Sequence, residues 1–236
     1  MNGIIYYSNT NQSKAVAEYL VNEIGWDLYD LNDCEQTQKA AEATFERIVL
    51  IFPVYCQNAP DVVKDFLKKL KTRYLTLIAT YGKMCYGRAL YEIQQSYKDG
   101  EIIAAAYVPM KHSYLQEKTE TNLEALSLVV QKTLNDDPQP IIIKKTYKNP
   151  FASVGKDMRS RMLVKIVFDK EKCTNCKKCE RECLFNGIVN GKVNSNCIRC
   201  LKCATNCPAG AISFNNSFFL SIYLKKKPMN NFEIYI

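Results

Sequence analysis

The sequence predicts two domains: an α/β domain built on a doubly wound, five-stranded parallel sheet, and a small α+β domain after it. Apolar runs alternate with helical stripes over residues 1–150, which is typical of a parallel sheet with right-handed crossovers. Eight of the eleven cysteines then fall within residues 173–207. The 236 residues of the chain leave room for one large and one small domain.

Five short apolar runs mark the strands of the α/β domain, at residues 3–8, 26–31, 47–53, 74–80 and 101–110. Apolar residues at helical spacing predict helices after the first, third, fourth and fifth runs, over residues 14–24, 62–70, 85–97 and 123–134. In such sheets, ligands bind beyond the carboxyl ends of the strands, where the strand order reverses. We therefore expect a binding site at the loops that follow strands one, three and four.

The loop after the first strand has the composition of an anion site. It consists of Ser8, Asn9, Thr10, Asn11, Gln12 and Ser13. Hydroxyl and amide donors, backbone N–H groups and the dipole of the following helix favour a phosphate there. Because the loop has no lysine, a tightly held phosphate monoester suits it better than a transferable triphosphate. An ordinary capped turn between a strand and a helix would show the same pattern.

Two copies of the spacing C-x2-C-x2-C-x3-C organise the second domain, and the second copy repeats the first 24 residues later, from 173 to 197. Three cysteines at this spacing can reach one iron–sulfur cubane, whereas the fourth points away and serves the other cluster. The spacing therefore predicts two [4Fe–4S] clusters with crossed ligation. One set of ligands is Cys173, Cys176, Cys179 and Cys207, and the other is Cys183, Cys197, Cys200 and Cys203.

Zinc and disulfides are the alternatives for these cysteines. Structural zinc sites use paired C-x2-C units with a longer gap between the pairs, and a third cysteine after each pair fits that pattern badly. Disulfides belong to oxidising compartments, and the start of the sequence does not resemble a signal peptide. We therefore expect a reducing cytoplasm. No apolar run is long enough to predict a membrane span.

Charge is distributed unevenly along the chain. Residues 1–150 carry 17 Lys and Arg against 18 Asp and Glu, a net charge of −1, and residues 151–236 carry 15 against 6, a net charge of +9. Two oxidised clusters would lower that +9 to about +5. The remaining lysines suit a docking surface for redox partner proteins with an acidic face. Aromatic residues are not interleaved with the basic ones, so we expect no nucleic-acid binding.

The α/β half resembles the flavodoxin family. The run IIYYSNTNQS, residues 4–13, follows the family's FMN-phosphate motif, with Asn11 in place of Gly or Ala and Ser13 in place of Thr. The resemblance implies the strand order 2-1-3-4-5 and bound FMN. It also implies two loops that clasp the isoalloxazine ring, formed by Pro53, Val54, Tyr55, Thr80, Tyr81 and Gly82. Tyr55 and Tyr81 offer flat faces for the ring, although either can be a simple loop anchor.

Residues 173–207 resemble the bacterial two-cluster ferredoxins. That family usually has proline after the fourth cysteine of both runs, as Pro208 follows Cys207 here, but Leu184 follows Cys183. Leu184 has a backbone N–H that proline lacks. Hydrogen bonds to cluster sulfurs tune the reduction potential, so an added donor at Leu184 is expected to raise it.

Together, the two halves resemble single-chain fusions of a flavodoxin-like domain with a two-cluster ferredoxin, over residues 1–214. The resemblance implies an electron carrier: FMN accepts electrons singly or in pairs, and each cluster moves one at a time. The alternative is a flavin-dependent oxidoreductase, fed by NAD(P)H or a ferredoxin, that acts on a small substrate. No acid–base pair or nucleophile is visible in the sequence, which favours the carrier and predicts no catalytic residue.

We expect the first domain to span residues 1–150 and the second to span residues 164–214, with a Pro-rich connection between them. Residues 164–168 and 212–214 are expected to pair as strands, and Asn190-Gly191 to form a type I′ turn between the ligand runs. The tail, residues 215–236, is either an added strand pair or a frayed end. Outside the repeat, Cys34 is expected in a loop, and Cys56, Cys85 and the only histidine, His112, are expected to be inert.

Overall fold

The computed structural model describes residues 1–115, 121–152, 154–225 and 229–236. Of the predicted connection and tail, residue 153 and residues 226–228 lie outside the described residues. The chain divides into two compact units. The first consists of Met1–His112, Glu117–Ala152 and Met229–Ile236, and the second consists of Ser113–Gln116 and Ser153–Pro228. The C-terminal residues of the chain therefore return to the first unit.

The strands, in chain order, are β1 (Asn2–Tyr6), β2 (Asp27–Asp30), β3 (Thr44–Pro53), β4 (Lys71–Tyr81), β5 (Glu101–Pro109), β6 (Val164–Phe168), β7 (Ile188–Val189), β8 (Lys192–Val193), β9 (Ile212–Asn216) and β10 (Glu233–Tyr235). The helices are α1 (Gln12–Ile24), α2 (Cys34–Glu42), α3 (Asp61–Leu67), α4 (Ala89–Ser96), α5 (Ser127–Leu134), α6 (Lys156–Leu163), α7 (Lys178–Arg181), α8 (Lys202–Thr205) and α9 (Phe218–Leu224), with a 3-10 turn at Leu123–Leu126. No helix of the described residues has the length and hydropathy needed to span a bilayer.

The sheet of the first unit has the strand order β10-β5-β4-β3-β1-β2. Its first five strands are parallel and follow the order 2-1-3-4-5, as expected. Neighbouring side chains of β1 point to opposite faces: Ile5 packs with Val63 of α3 and Leu90 of α4, whereas Ile4 packs with residues of α1 and α5. The doubly wound α/β prediction is therefore confirmed, since helices cover both faces of a parallel sheet.

The tail adds a sixth strand that the five-strand prediction lacked. β10 pairs antiparallel with the edge strand β5, with Glu233 opposite Tyr107 and Tyr235 opposite Ala105. The tail also contains helix α9, which belongs to the second unit. The tail is therefore neither a strand pair nor a frayed end. It is one helix and one strand that lie in different units.

Two helices differ from the sequence prediction. α4 begins at Ala89 rather than near Cys85, because Lys83 and Gly87 have positive φ values of 58° and 63° that a helix does not accept. α2 was not predicted, because its only buried residue is Ala40, so it has no apolar stripe. Cys34, expected in a loop, is the first residue of this helix and is exposed.

The second unit contains an antiparallel ladder and a short hairpin. β6 pairs with β9, from Val164 opposite Asn216 to Phe168 opposite Ile212, as the sequence predicted. The predicted turn between β7 and β8 is also present: Asn190 and Gly191 both have positive φ values, 50° and 68°, as a type I′ turn requires. α6 occupies residues that were expected to form an irregular connection.

Candidate metal centre and flavin site

One cavity of the second unit collects cysteines from both runs. Its volume is about 260 Å³, and its lining includes Cys173, Cys176, Cys179 and Cys207. The first three come from one run and the fourth from the end of the other run, 28 residues after Cys179 (207 minus 179). These four are the set that the crossed arrangement predicts for one cluster.

The other four cysteines influence one another electrostatically. Burial, together with the nearby Cys183 and Cys197, raises the pKa of Cys200 to about 11. Burial also raises the pKa of Cys203 to about 12, with contributions from Cys200, Cys197 and Cys183. Thiols this close together resist ionisation without a cation, and a metal centre supplies that cation and releases their protons. Cys183 therefore lies with the second run although it belongs to the first.

The two runs share one backbone conformation. Asn175 and Lys177 of the first run have positive φ values of 55° each, and the equivalent Arg199 and Leu201 of the second have values of 62° and 65°. When left-handed residues alternate with ordinary ones, successive backbone N–H groups converge into a concave nest, which is a common feature of iron–sulfur sites. Short helices follow each nest, α7 and α8. The sequence repeat is therefore also a repeat in structure.

The fourth cysteine of each run accepts a backbone hydrogen bond from the residue four positions later. The N–H of Gly187 lies 3.1 Å from Cys183 Sγ, and the N–H of Ala211 lies 3.3 Å from Cys207 Sγ. Backbone hydrogen bonds to a thiolate favour its charged form. The same effect lowers the pKa of Cys176, where the N–H of Lys178 is the main cause.

The arrangement fits iron–sulfur clusters better than single zinc ions. Among the described residues, no group of three or more His, Cys, Asp or Glu side chains is arranged to hold one metal ion. A zinc site needs four ligands around one ion, whereas a cubane separates its four thiolates because each binds a different iron. All eleven cysteines are free thiols in the structure. These cysteine thiolates are the ligand type of an iron–sulfur centre.

The first turn of α1, which follows the predicted phosphate loop, has two features that favour an anion. Asn11 has a left-handed backbone (φ 61°, ψ 3°) at the N-cap position and makes no side-chain capping hydrogen bond. No acidic residue lies in the first turn, so the positive end of the helix dipole is not compensated there. Asparagine tolerates this backbone conformation, so the replacement of Gly or Ala by Asn11 retains the loop shape.

Two side-chain contacts connect the loop after β1 to the loop after β3, and the start of α1 to the end of β4. Asn9, which is 2% exposed, donates its Nδ2 to the hydroxyl oxygens of Tyr7 and Tyr55, at 2.9 and 3.0 Å. Ser13 Oγ lies 2.8 Å from Thr80 Oγ1. The structure thus brings together the predicted phosphate loop and both predicted ring loops. The Oδ1 of Asn9 is buried without a hydrogen-bond partner, which is consistent with a polar group that completes its bonding when a ligand is present.

The rings of the two tyrosines in the predicted ring loops do not both lie where the prediction places them. Tyr55 begins a tight turn with Cys56 and Gln57 at positive φ values of 48° and 65°, and its half-buried ring remains at the loop. The ring of Tyr81, in contrast, is buried in the core at 2% exposure. Its hydroxyl donates to the carbonyl of Asn231, 2.8 Å away. The ring of Tyr81 is therefore an anchor in the core, and only the backbone of this residue lies near the predicted flavin site.

The C-terminal segment holds the loop after β4 in place. The N–H of Met229 donates to the carbonyl of Lys83 at 2.6 Å, and the carboxylate of Glu233 accepts hydrogen bonds from Tyr86 and Tyr235. Tyr86 in turn packs edge-on against Tyr81. Sequence reasoning missed this support, because the residues involved are more than 140 positions apart and show no motif.

Gly82 is required by a close neighbour. A side-chain carbon at Gly82 would lie 2.7 Å from Cδ2 of His112, which is closer than real side-chain carbons approach, and a tight 3.1 Å from its Cα. Burial lowers the pKa of His112 to about 4, so the imidazole is neutral at pH 7. His112 is therefore a packed residue beside the predicted ring loop, in agreement with the expectation from sequence.

Comparisons with known sequences bear on the second unit. The family model described as a 4Fe-4S binding domain matches residues 192–213, which include Cys197, Cys200, Cys203 and Cys207. An uncharacterized protein of Methanocaldococcus jannaschii is 37% identical over 54 residues, which are 22% of this chain and 22% of that protein. The chain thus spans about a fifth of the length of this relative.

Solved structures match part of this chain at low identity. A flavodoxin of Fusobacterium nucleatum bound to flavin mononucleotide is 17% identical and covers 55% of this chain and 90% of its own, with a TM-score of 0.34. An NAD(P)H:quinone oxidoreductase of Methanothermobacter marburgensis is 8% identical and covers 58% of this chain and 98% of its own, with a TM-score of 0.34. At these scores, the assignment of the fold rests on the order of the strands.

The strand order 2-1-3-4-5 is that of flavodoxin-like folds, and the 4Fe-4S match covers the second cysteine run. Iron–sulfur centres held by cysteine thiolates are redox groups. The chain joins a flavodoxin-like α/β fold to a ferredoxin-type iron–sulfur segment in one polypeptide.

Proposed function

We propose that this protein is an electron carrier that binds FMN in its first unit and two [4Fe–4S] clusters with crossed ligation in its second. The observation that carries the proposal is the grouping of the cysteines: Cys207 joins the first run at one cavity, whereas Cys183 interacts with the second run. In this arrangement, the two runs exchange their fourth cysteine. It is the ligand pattern of two-cluster ferredoxins.

In this proposal, the first unit binds FMN through three loops. The open first turn of α1 holds the phosphate with backbone N–H groups, and Ser13 fixes that turn to the loop of Thr80. Pro53, Val54 and Tyr55 lie on one side of the ring, and Thr80, Tyr81 and Gly82 lie on the other. When bound, FMN supplies chemistry in which electrons move singly or in pairs, and the clusters supply one-electron steps.

We further propose that the carrier exchanges electrons with partners that have an acidic docking face. The second half of the chain has a net charge of +9, which two clusters reduce to about +5. Long-range attraction between opposite charges accelerates such encounters and weakens as salt increases. The free thiols suit a reducing compartment such as the cytoplasm.

The direct test is a cofactor inventory on protein purified and reconstituted without oxygen. We expect about eight iron and eight sulfide per chain, together with one FMN. A Cys173→Ser variant should lose cluster iron, whereas Cys34→Ser, which changes an exposed cysteine outside both sets, should not. A colourless protein that binds zinc in place of iron would end the proposal for the second unit.

The same holo-protein separates a carrier from a flavin-dependent oxidoreductase. In stopped-flow mixing, we expect rapid reduction by a ferredoxin-type donor and no response to NADH or NADPH. Fast bleaching of the flavin by either nicotinamide would instead support the oxidoreductase. The variant Asn9→Ala serves as a control, because it should weaken FMN binding and leave the iron content unchanged.

A further inference from the structure

The residues between the cysteine ligands differ in exposure between the two runs. Three such positions of the first run are exposed: Thr174, Asn175 and Lys177. The equivalent positions of the second run, 24 residues later, are half-buried or buried: Ile198, Arg199 and Leu201. Leu201 is only 2% exposed. None of these side chains is a predicted ligand, so the difference comes from the protein around each run.

Other elements of the second unit hold the backbone of the second run. Tyr114, which belongs to this unit, donates its hydroxyl to the carbonyl of Arg199 at 3.0 Å. Arg161 of α6 donates Nε to the carbonyl of Cys197 at 3.2 Å. The Nε of Arg199 in turn donates to the carbonyl of Val164 in β6 at 2.9 Å. All three contacts are partly buried, so these elements cover the second run.

The loop after Cys183 packs against the second run as well. A side-chain carbon at Gly187 would lie 2.8 Å from the Cα of Cys197, which is closer than real side-chain carbons approach, so only glycine permits this packing. The first run is held differently. Its Arg181 donates Nη1 to the carbonyl of Cys176 at 2.8 Å, and this contact is exposed. The first run is therefore stabilised from within and lies at the surface, whereas the second run is enclosed.

Basic side chains border the site of the first run. Lys177 and Lys178 line the cavity that contains the first set of cysteines, and Lys177 is exposed. Lys170 and Lys172, shortly before the first ligand, are exposed too. An acidic surface is the electrostatic complement of these lysines. A second copy of the chain is disfavoured as the partner, because the same basic groups would face each other.

We propose that the cluster of the first run is the site at which acidic redox partners exchange electrons with this protein, and that the cluster of the second run is enclosed. The inference rests on the proposed function, because it requires both clusters. Electron transfer slows steeply with distance, so a partner that docks on the exposed residues of the first run reaches that cluster first. In each encounter, a reduced ferredoxin-type donor loses one electron and the first-run cluster gains it, and no proton or bond is transferred.

The first experiment measures how accessible each cluster is. Holo-protein is mixed with ferricyanide and EDTA, and we expect iron to leave in two phases of about four iron each. Cys173→Ser should lack the fast phase and Cys200→Ser the slow one. Tyr114→Phe removes the hydroxyl that holds Arg199, so it should accelerate only the slow phase, about fivefold. The control Tyr147→Phe, at an exposed site of the first unit, should change neither phase.

The second experiment locates the docking site by stopped-flow reduction with a reduced, acidic [2Fe–2S] ferredoxin. Lys177→Glu should slow reduction about fivefold at low salt, and the effect should fade as salt increases. The control Lys165→Glu changes the net charge equally at an exposed position of β6 and should slow reduction less than about twofold. In freeze-quenched samples, the paramagnetic signal that Cys173→Ser alters should appear first.

Two filled clusters that lose iron at one rate, or faster loss from the Cys200 set, would overturn this inference alone. It also fails if both lysine variants slow reduction equally, since only net charge would then matter, or if Lys177→Glu reacts like the unchanged protein. A protein that contains no iron before mixing would instead overturn the proposed function, and this inference with it. Iron and sulfide are therefore measured in every sample before each experiment.

Discussion

The side-chain amide of Asn9 lies 3.0 Å from the hydroxyl oxygen of Tyr55, and this contact joins the polar loop after β1 to the turn after β3. The two residues are 46 positions apart in sequence. Because Asn9 is buried, the hydrogen bond is shielded from water and holds the half-buried ring of Tyr55 in a defined place. The residue proposed to bind the phosphate region thus also orients the residue proposed to contact the flavin ring.

Removal of this contact should weaken FMN binding. Tyr55→Phe keeps the flat ring but deletes the hydroxyl that Asn9 contacts. We expect about a fivefold higher dissociation constant for FMN, which corresponds to the loss of one hydrogen bond of about 1 kcal/mol. Fluorescence titration of FMN measures the change. Tyr147→Phe, at an exposed site of the same unit, is the matched control, and equal affinities of all three proteins would refute the role of Tyr55.

The C-terminal strand should stabilise the first unit through Tyr81. Tyr81→Phe removes the hydroxyl that donates to the carbonyl of Asn231 and leaves that carbonyl without this partner. We expect the free energy of unfolding to fall by about 1 kcal/mol, measured by urea unfolding of the first unit at constant FMN. If Tyr81→Phe unfolds at the same urea concentration as the unchanged protein, the hydrogen bond between Tyr81 and Asn231 does not stabilise the first unit.

Stability should depend on pH through the chain's only histidine. Burial lowers the pKa of His112 from 6.5 to about 4, so the folded protein holds the neutral imidazole and the unfolded chain binds the proton first. The contribution of this group is therefore full above pH 6.5, declines as pH falls towards 4 and is constant below that. The total loss should be about 3 kcal/mol.

The control for this pH effect is the variant His112→Gln, because a glutamine side chain does not titrate. Acidic residues also titrate in part of this range, so the relevant quantity is the difference between the two proteins in unfolding free energy. We expect that difference to change between pH 6.5 and 4. A constant difference across that range would show that His112 is accessible to protons in the folded state.

The reduction potentials of the two clusters should shift in opposite directions in the variants Leu184→Pro and Pro208→Leu. Leu184→Pro removes a backbone donor after Cys183, and Pro208→Leu adds one after Cys207. We expect the first to lower and the second to raise the potential of the affected cluster, by about 20–60 mV for one hydrogen bond in a one-electron couple. Spectroscopic redox titration measures both. Shifts of the same sign in the two variants would contradict this explanation.

The strands of the parallel sheet were predictable because each depends on a local pattern. Residues 48–53, for example, are continuously apolar, since the strand is buried on both faces. The two sets of cysteine ligands stay a prediction, which follows from the spacing that a cubane requires. β10 could not be predicted in this way. Its three residues, Glu233–Tyr235, form a strand only because the edge of β5 is available to pair with them, and that is a property of the folded sheet.

The candidate flavin site also combines features that the sequence predicts with features that it does not. The polar loop at residues 8–13 and its left-handed Asn11 could be anticipated, because composition and backbone preference are local. The orientation of Tyr81 could not, because it is determined by Asn231, which is 150 positions away in sequence. α2 has no apolar stripe, so the sequence pattern did not predict it. The Asp33 side chain, rather than burial, stabilises the start of this helix.

Crossed ligation is the central claim, and electron paramagnetic resonance of the reduced holo-protein tests it most directly. Cys207→Ser and Cys183→Ser are compared with Cys173→Ser and Cys200→Ser, with iron and sulfide measured in each. We predict that Cys207→Ser alters the same cluster signal as Cys173→Ser, and that Cys183→Ser alters the same signal as Cys200→Ser. The account is contradicted if Cys207→Ser alters the signal that Cys200→Ser alters, since each run would then hold its own centre.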